Sequence, residues 1–141
     1  MSTRNLDALF APRTIALIGA SNEPGSVGHV LARNLFGGGF KGQILPVNPH
    51  ESQIHGRVSY RSIDEAPASP DLAVIATPAA PIPALITSLG QRGCRAAIVI
   101  SAGAGLRDSV LKAAQPFLMR IVGPNCLGFL SPGLGINASF A

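Results

Sequence analysis

Short apolar runs recur along the chain, each followed by a segment rich in glycine, proline, serine or asparagine. Continuous rather than alternating apolar residues are typical of parallel strands that helices cover on both faces. Pro46 is unfavourable inside the second run, because proline has no N–H for the ladder, and it suggests a strand end or an edge. The five runs that read as strands are TIALIG (14–19), QILPV (43–47), LAVIA (72–76), AAIVI (96–100) and MRIV (119–122).

Helical patterns alternate with these runs. The segment after the first run ends at three consecutive glycines, and its apolar stripe at helical spacing is Val27, Val30, Leu31 and Leu35. Residues 51–70 read as a polar connection with a short helix near Ser62–Ala66, and residues 129–141 as coil or a final short strand. The further predicted helices are Leu6–Phe10, Ile82–Arg92 and Leu106–Phe117.

This alternation of strand and helix predicts the α/β class, with right-handed crossovers between parallel strands. We expect a Rossmann-like doubly wound parallel sheet of about five strands in the order 3-2-1-4-5. The 141 residues suit a single domain, residues 1–141. The chain ends soon after the fifth run without an evident cap, so we expect a fragment of a longer multidomain protein.

Composition narrows the class of protein. The chain is 47% hydrophobic with 13% charged residues, which is too apolar for intrinsic disorder. Its net charge of +4 comes from scattered basic residues, so it indicates a mildly basic surface or an anionic ligand rather than a nucleic-acid partner. Leu72–Gln91 is uncharged, but its prolines argue against a membrane span. The two cysteines lack the spacing of a disulfide framework or a metal site, no signal peptide is recognisable, and a cytoplasmic location is expected.

Each predicted strand is followed by a loop of small or turn-forming residues. In an open parallel sheet the ligand binds outside the carboxyl ends of the strands, where these loops meet. Turn formation alone explains part of this composition, but five such loops on one edge predict a binding site. The loops are GASNEPGSVG (19–28), NPH (48–50), TPAAP (77–81), SAGAG (101–105) and GPNCLG (123–128).

The first loop has glycines at Gly19, Gly25 and Gly28. Their intervals match neither the GxGxxG of dinucleotide-binding folds nor a P-loop, yet they meet similar physical needs. Gly25 permits a backbone conformation and a close approach that a side chain blocks, and Gly28 permits tight packing of helix on strand. Ser26 can cap the helix, whose free N–H groups favour an anion. We predict a phosphate or pyrophosphate site at Ala20–Gly28, with an ordinary strand-to-helix turn as the alternative.

The second loop lacks the acid that NAD-binding folds place about 20 residues beyond the glycine loop to hold the ribose hydroxyls. Asn48 occupies this position. It is neutral, and Lys41, His50 and Arg57 are near in sequence, which suits a ribose that carries a phosphate. The loop therefore argues against NAD and leaves NADP or coenzyme A, unless the strand ends later and Glu51 is the ribose contact.

Five segments, taken in order, resemble the CoA-binding domain of NDP-forming acyl-CoA synthetases, which are relatives of the succinate–CoA ligase alpha subunit. The resemblance spans nearly the whole chain, and the combination of motifs is more specific than any one of them. The same module occurs at the N-terminus of some protein acetyltransferases, fused to a GNAT domain. The segments are LFAPRTIALIGASNEPGSVG, ILPVNP, DLAVIATPA, ISAG and IVGPNCLGF.

The resemblance implies coenzyme A or an acyl-CoA as the ligand, and the 3′-phosphate of CoA then explains the missing acid. The implied partners are other domains of the same protein, either phosphohistidine and ATP-grasp-like domains or a GNAT domain. Because the family's catalytic phosphohistidine lies in a following domain, this chain is expected to bind but not to catalyse, and no catalytic residue is assigned. One departure is the segment after Gly105, which is shorter and less acidic than in the family.

Candidate cofactor-binding residues come from all five loops. Ser26, as the helix cap, and His50, beside the nucleotide phosphate, are added on their chemistry. Cys126 is interpreted as a packed small residue rather than a nucleophile, because no His/Asp constellation surrounds it in sequence. The residues that match the family are Gly19, Ala20, Ser21, Pro24, Gly25, Gly28, Asn48, Pro49, Thr77, Pro78, Ala79, Ser101, Ala102, Gly103, Gly123, Pro124, Asn125 and Cys126.

Other functions stay open at this point. One alternative is an NAD(P)-binding Rossmann domain of a dehydrogenase or redox sensor, which Asn48 in place of an acid disfavours. Another is a regulatory domain that keeps the fold without the ligand, which the shortened segment after Gly105 favours. His29 suits a surface or groove-lining role better than that of a phosphoryl carrier, and the sequence identifies no partner for His55. No metal, nucleic acid or membrane partner is predicted.

Overall fold

The structure, a computed structural model, describes residues 4–140. Met1–Thr3 and Ala141, which belong to the predicted domain 1–141, lie outside the described residues. The strands are β1 (Thr14–Ile18), β2 (Gln43–Val47), β3 (Gln53–Ile54), β4 (Arg57–Val58), β5 (Leu72–Ile75), β6 (Ala96–Val99), β7 (Arg120–Val122), β8 (Gly128–Ser131) and β9 (Ile136–Ser139). The helices are α1 (Leu6–Phe10), α2 (Val27–Gly37), α3 (Ile82–Gln91) and α4 (Leu106–Ala114), with 3₁₀ turns at Ile63–Glu65, Gln115–Phe117 and Pro132–Leu134.

Five parallel strands form the central sheet in the order β2-β1-β5-β6-β7. The predicted α/β class with a Rossmann-like doubly wound sheet is confirmed, but the predicted strand order is wrong. When only the five predicted strands are numbered, the order is 2-1-3-4-5 and not 3-2-1-4-5. The difference arises because β5 pairs with β1, with Leu72 opposite Ile15, and does not lie beyond β2.

Pro46 explains why β2 suits the edge of the sheet. Its carbonyl accepts a hydrogen bond from the Tyr60 N–H at 3.0 Å on the side of β2 that faces away from β1. The N–H and C=O groups of one residue in a strand point to the same side of the strand. The position where Pro46 lacks an N–H therefore faces away from β1, where no sheet strand needs that donor. An interior β2 would have left a neighbouring strand without that hydrogen bond. The chain instead passes round this edge, where Val47 makes an isolated parallel pairing with Tyr60.

Helices cover both faces of the sheet. Within β1, Ile15 and Leu17 face the core beneath α1, α2 and β9, whereas Ala16 and Ile18 face the core beneath α3 and α4. Because α2 follows β1 on one face and α3 follows β5 on the other, the topological switch point lies between these two adjacent strands.

Helix α2 buries a different stripe from the predicted one. Leu31 and Leu35 are fully buried as predicted, but Val27 is 40% exposed. The buried face has the spacing i, i+3, i+4, i+7 and consists of Gly28, Leu31, Ala32 and Leu35. The side of the helix with the smallest residues packs on the sheet, because Gly28 allows its backbone to approach β1 closely.

The remaining segments follow the prediction with local differences. The helix predicted to Phe117 is α-helical only to Ala114, since Pro116 lacks an N–H for the next turn. The final segment is an antiparallel hairpin of β8 and β9, where the Ser139 carbonyl accepts a hydrogen bond from the Asn34 amide of α2 at 2.7 Å. The short helix predicted near Ser62–Ala66 is one 3₁₀ turn, preceded by the β3–β4 hairpin. Across residues 4–140, no helix is long and apolar enough to cross a membrane.

Candidate functional site

The loops after the five sheet strands lie along one edge, which we call the rim, and hydrogen bonds tie neighbouring loops together in two groups. The Asn48 amide donates to the Ala20 carbonyl at 2.8 Å, which ties the loop after β2 to the loop after β1. The Ser101 hydroxyl donates to the Thr77 carbonyl, and the Asn125 N–H donates to the Ser101 carbonyl at 2.9 Å. These bonds connect the loops after β5, β6 and β7, so side chains from all five predicted loops share one edge.

The loops after β1 and β5 come into close contact at the switch point. Gly19 has φ +99° there, and a Cβ on it would lie 2.8 Å from the carbonyl carbon and oxygen of Ala76. The two loops therefore touch through their backbones, which only glycine permits at this position. A sheet of order 2-1-3-4-5 binds its ligand at this kind of switch point. The corrected strand order therefore keeps the predicted ligand position, with the β1 and β5 loops as its walls.

The β1–α2 loop presents the start of α2 to the rim. Gly25 has φ +83° with open space around it, whereas a Cβ on Gly28 would lie 1.9 Å from the Gly19 carbonyl oxygen. Ser26 caps the helix as predicted, because its hydroxyl oxygen accepts the His29 N–H at 3.2 Å. Other first-turn N–H groups have no acceptor within a helix, and this first turn contains no acidic residue. This helix end therefore suits a phosphate or a diphosphate.

Asn48 fixes the rim through both ends of its side chain. While its amide donates to Ala20, its Oδ1 accepts the His50 N–H at 2.7 Å and the Glu51 N–H at 3.0 Å. An aspartate could accept the last two bonds but could not donate to a carbonyl. The absence of an acid at this position therefore follows from the geometry of two loops, and not only from the ligand.

Two cavities open on the rim. The first, of about 300 Å³, lies between Gly19, Pro49 and Thr77, and its walls include Ile63 and Leu85 on the α3 face. The second, of about 570 Å³, lies between the loops after β6 and β7, and its lining includes Ala102, Gly103 and Asn125. A third groove, near Arg4 and Arg120 at the opposite edge of the sheet, contains none of the predicted site residues.

Both cysteines are turned into the protein. Cys126 on the rim is half-buried, and its thiol donates to the Val99 carbonyl at 3.4 Å. This contact favours the packed interpretation of Cys126 over a nucleophile. Cys94 is fully buried, and burial raises the pKa of its thiol to about 12. In the part of the chain that the structure describes, no group of three or more His, Cys, Asp or Glu side chains is placed to hold a metal ion.

Comparison with known proteins identifies the family. The sequence profile described as the CoA binding domain matches residues 13–132, which is most of the chain. This chain belongs to the CoA-binding domain family. The resemblance noted from the motifs is thereby confirmed, and coenzyme A as the ligand is confirmed at the level of the family.

Enzymes named as CoA ligases or synthetases are among the relatives of this CoA-binding domain. It is 36% identical over 148 residues to the acetate–CoA ligase (ADP-forming) I subunit alpha of Pyrococcus furiosus, covering 96% of this chain and 32% of that subunit. It is 35% identical over 136 residues to the acetate–CoA ligase (ADP-forming) of Methanocaldococcus jannaschii, covering 92% and 19%. The apo structure of the dinucleotide forming acetyl-coenzyme A synthetase 1 of Ca. Korarchaeum cryptofilum matches with a TM-score of 0.90 and 35% identity, over 96% of this chain and 31% of that chain. The domain thus spans about a third of these relatives or less.

The CoA-binding domain brings every predicted site residue to the rim, and the contact of each with CoA stays a prediction. The residues exposed along the rim are Pro24, Gly25, Pro49, His50, Pro78, Ala102, Gly103, Gly123 and Asn125. The residues that are buried or half-buried beneath it are Gly19, Ala20, Ser21, Ser26, Gly28, Asn48, Thr77, Ala79, Ser101, Pro124 and Cys126. We infer that the first set contacts the ligand and that the second set shapes the backbone that does so.

One cluster beside the rim was missed by the sequence reasoning. His29 and His55, for which no partner was predicted, have ring centroids 4.6 Å apart. The His55 ring also lies 5.9 Å from that of Phe36, and the Arg57 guanidinium carbon lies 4.1 Å from the centroid of the Phe36 ring. The helical spacing of His29 and Phe36 is visible in sequence, but their contact with the β3–β4 hairpin depends on how that hairpin folds onto α2.

Proposed function

We propose that this domain holds coenzyme A along the rim as one part of a larger ADP-forming acyl-CoA synthetase. The observation that carries the proposal is the rim itself, where the start of α2 lies at the switch point. The first turn of α2 has free N–H groups and no acidic side chain to balance them. A diphosphate is the group that a capped helix end and a glycine loop favour. The family match supports CoA as the molecule that carries this diphosphate.

The rim suggests an order for the parts of CoA. The diphosphate is proposed to lie over Gly25 and the first turn of α2, where no side chain blocks the backbone donors. The adenine is proposed to enter the cavity between Pro49 and Thr77, whose largely apolar walls suit a flat base. The pantetheine chain then extends past the loops after β5 and β6 toward Asn125, beside the second cavity.

The reaction of the whole protein is a further part of the proposal. Acyl-CoA, a nucleoside diphosphate and phosphate are exchanged for the free acid, CoA and the nucleoside triphosphate, through a phosphohistidine supplied by another domain. The present domain binds and orients CoA, and no catalytic group is assigned to it. The names of the relatives favour this ligase over the GNAT-linked acetyltransferase. The ATP-grasp-like partner, the multidomain parent and the cytoplasmic location stay predictions.

Calorimetric titration of the purified chain with CoA, dephospho-CoA and NAD tests the proposal. We expect saturable binding of CoA and none of NAD. Preference for NAD would contradict the proposal and support the dinucleotide alternative, and a folded sample that binds none of the three would indicate a scaffold without this ligand.

A matched pair of glycine variants sharpens this test. Gly25 and Gly39 both have φ +83° and open space where a Cβ would lie, but only Gly25 lies on the rim. Both Gly25→Ala and Gly39→Ala should lose about 1 kcal/mol of stability, because alanine disfavours this backbone conformation. Only Gly25→Ala should also weaken CoA binding, by about tenfold, which corresponds to one lost hydrogen bond to a charged group. Equal CoA affinities of the two variants would contradict the placement of the diphosphate at this loop.

A further inference from the structure

Four basic side chains lie on α2 and on the hairpin that packs against it, and we call them the imidazole–arginine cluster: His29, Arg33, His55 and Arg57. His29 and Arg33 lie four residues apart and therefore on one face of α2. His55 and Arg57 come from the β3–β4 hairpin. The two imidazole centroids are 4.6 Å apart, and Arg57 stacks on Phe36, one turn beyond Arg33 on the same helix face.

The hairpin is fixed directly onto the loop that starts α2. The Asn22 amide donates to the Gln53 carbonyl at 2.8 Å, and the Asn22 Oδ1 accepts the His55 N–H at 3.0 Å. His55 and Gly56 form a two-residue turn with φ values of +49° and +78°, positions that asparagine, aspartate and glycine usually fill. His55 therefore stands at a left-handed turn position, with its ring against that of His29.

Within residues 4–140, none of the four basic side chains of the cluster forms a salt bridge. Neither α2 nor the hairpin contains an acidic residue. Glu23 and Glu51, the nearest acidic residues along the chain, form no salt bridge with any of the four basic side chains in the described residues. His55 is exposed, but partial desolvation, followed by the charge of His29 and a smaller effect of Arg33, lowers its pKa, and a hydrogen bond to the Ser21 backbone opposes this shift. An anion placed here would relieve the mutual repulsion of these groups.

We propose that the imidazole–arginine cluster binds a phosphate monoester, the 3′-phosphate of coenzyme A, while the start of α2 takes the diphosphate. This inference rests on the proposed function and deepens it. A phosphate monoester carries close to two negative charges near neutral pH, because its second pKa is about 6, so it gains more from charged side chains than a diester does. Backbone N–H groups at the helix end suit the diphosphate.

This assignment moves the 3′-phosphate away from the end of β2, where the sequence placed it. The Asn48 side chain is fully engaged with the backbone there, and the His50 N–H is turned toward Asn48. The cluster lies beside the β1–α2 loop, to which Asn22 ties the hairpin. The proposal therefore requires the ribose to lie on this side of the loop when the diphosphate occupies the start of α2.

Arg33→Gln provides the cleanest test, because the Arg33 side chain is exposed and its removal leaves the packing intact. Its matched control is Arg13→Gln, which changes the net charge equally at the opposite edge of the sheet, where Arg13 uses only its backbone N–H to bond Asp71. Titration of the full chain should show that Arg33→Gln weakens CoA binding about fivefold, as expected for an exposed charge pair, and dephospho-CoA binding by less than about twofold. Arg13→Gln should change neither, and Arg33→Lys should restore most of the loss.

A second measurement follows the imidazole protons of His55 by NMR as the pH is varied. Saturating CoA should raise the pKa of His55, whereas dephospho-CoA should leave it nearly unchanged, because only CoA brings the phosphate monoester. His55→Gln should then reduce the preference for CoA over dephospho-CoA by about fivefold.

The outcomes separate this inference from the proposed function. Equal weakening of CoA and dephospho-CoA by the cluster variants would show a structural role and overturn the inference while CoA binding stands. CoA binding that none of the variants alters would overturn it in the same way. Failure of the folded wild-type chain to bind either ligand would overturn the proposed function as well.

Discussion

The contact between Gly28 and Gly19 sets how closely α2 packs on β1, and Gly28→Ala tests it. Gly28 is the second residue of α2, and the atom that an added Cβ would meet at 1.9 Å is a backbone carbonyl oxygen. Because neither partner is the flexible end of a side chain, the substitution must move the helix or the loop by roughly an ångström.

The magnitude follows from two opposing effects. Overpacking against backbone places the steric cost near the upper end of the usual range, at about 3 kcal/mol. Alanine in place of glycine within a helix returns about 1 kcal/mol at most. We therefore expect Gly28→Ala to lower the free energy of unfolding by about 2 kcal/mol. For a domain of this length, that corresponds to a fall of about 8 °C in Tm.

Gly37→Ala is the matched control, because Gly37 is the last residue of the same helix and a Cβ on it would meet no atom within 4 Å. It should gain about 0.5 kcal/mol. Urea unfolding of both variants and the wild type, followed by far-ultraviolet circular dichroism, measures the difference if the m-values agree. A Gly28→Ala variant as stable as the wild type would refute the close packing of α2 on β1 from which the geometry of the phosphate site follows.

Three further predictions follow from buried or coupled polar groups. Asn48→Asp should lower the free energy of unfolding, measured in urea, by about 1–3 kcal/mol, because a carboxylate cannot donate to the Ala20 carbonyl. An unchanged urea midpoint would show that this hydrogen bond does not hold the two loops together. A thiol reagent at pH 8 should modify the half-buried Cys126 and spare Cys94, whose pKa burial raises to about 12; modification of both in the folded protein would refute this. The pKa of the exposed His55 lies below its usual 6.5, first through partial desolvation and then through repulsion by a neighbouring histidine. The unfolded state therefore takes up the proton first, and stability falls slightly as the pH drops below 6.5. His55→Gln should reduce that fall between pH 7 and pH 5, and identical pH profiles of the variant and the wild type would count against it.

The local features of this domain were readable from the sequence because each depends on residues close together in the chain. Continuous apolar runs predicted the five strands of the sheet, and the start of each main helix was predicted within a residue. Ser26 was recognised as a cap because capping needs a hydroxyl directly before the helix. The loops at the carboxyl ends were predicted to share one edge because parallel strands require it, and the hydrogen bonds of the rim agree.

The tertiary structure decided what depends on contacts between distant segments. The strand order depends on the passage of residues 51–70 round β2, which makes β2 an edge strand. In the sequence, Pro46 was the one feature that suggested an edge. The sequence identified Asn48 only as a neutral residue in place of the ribose-binding acid, and the fold showed that its amide donates to the Ala20 carbonyl. The approach of His55 to His29 likewise requires the hairpin to dock on α2. Periodicity and turn chemistry fix each element locally, whereas the pairing of these elements is a balance of packing and hydrogen bonding that exists only once the whole chain has folded.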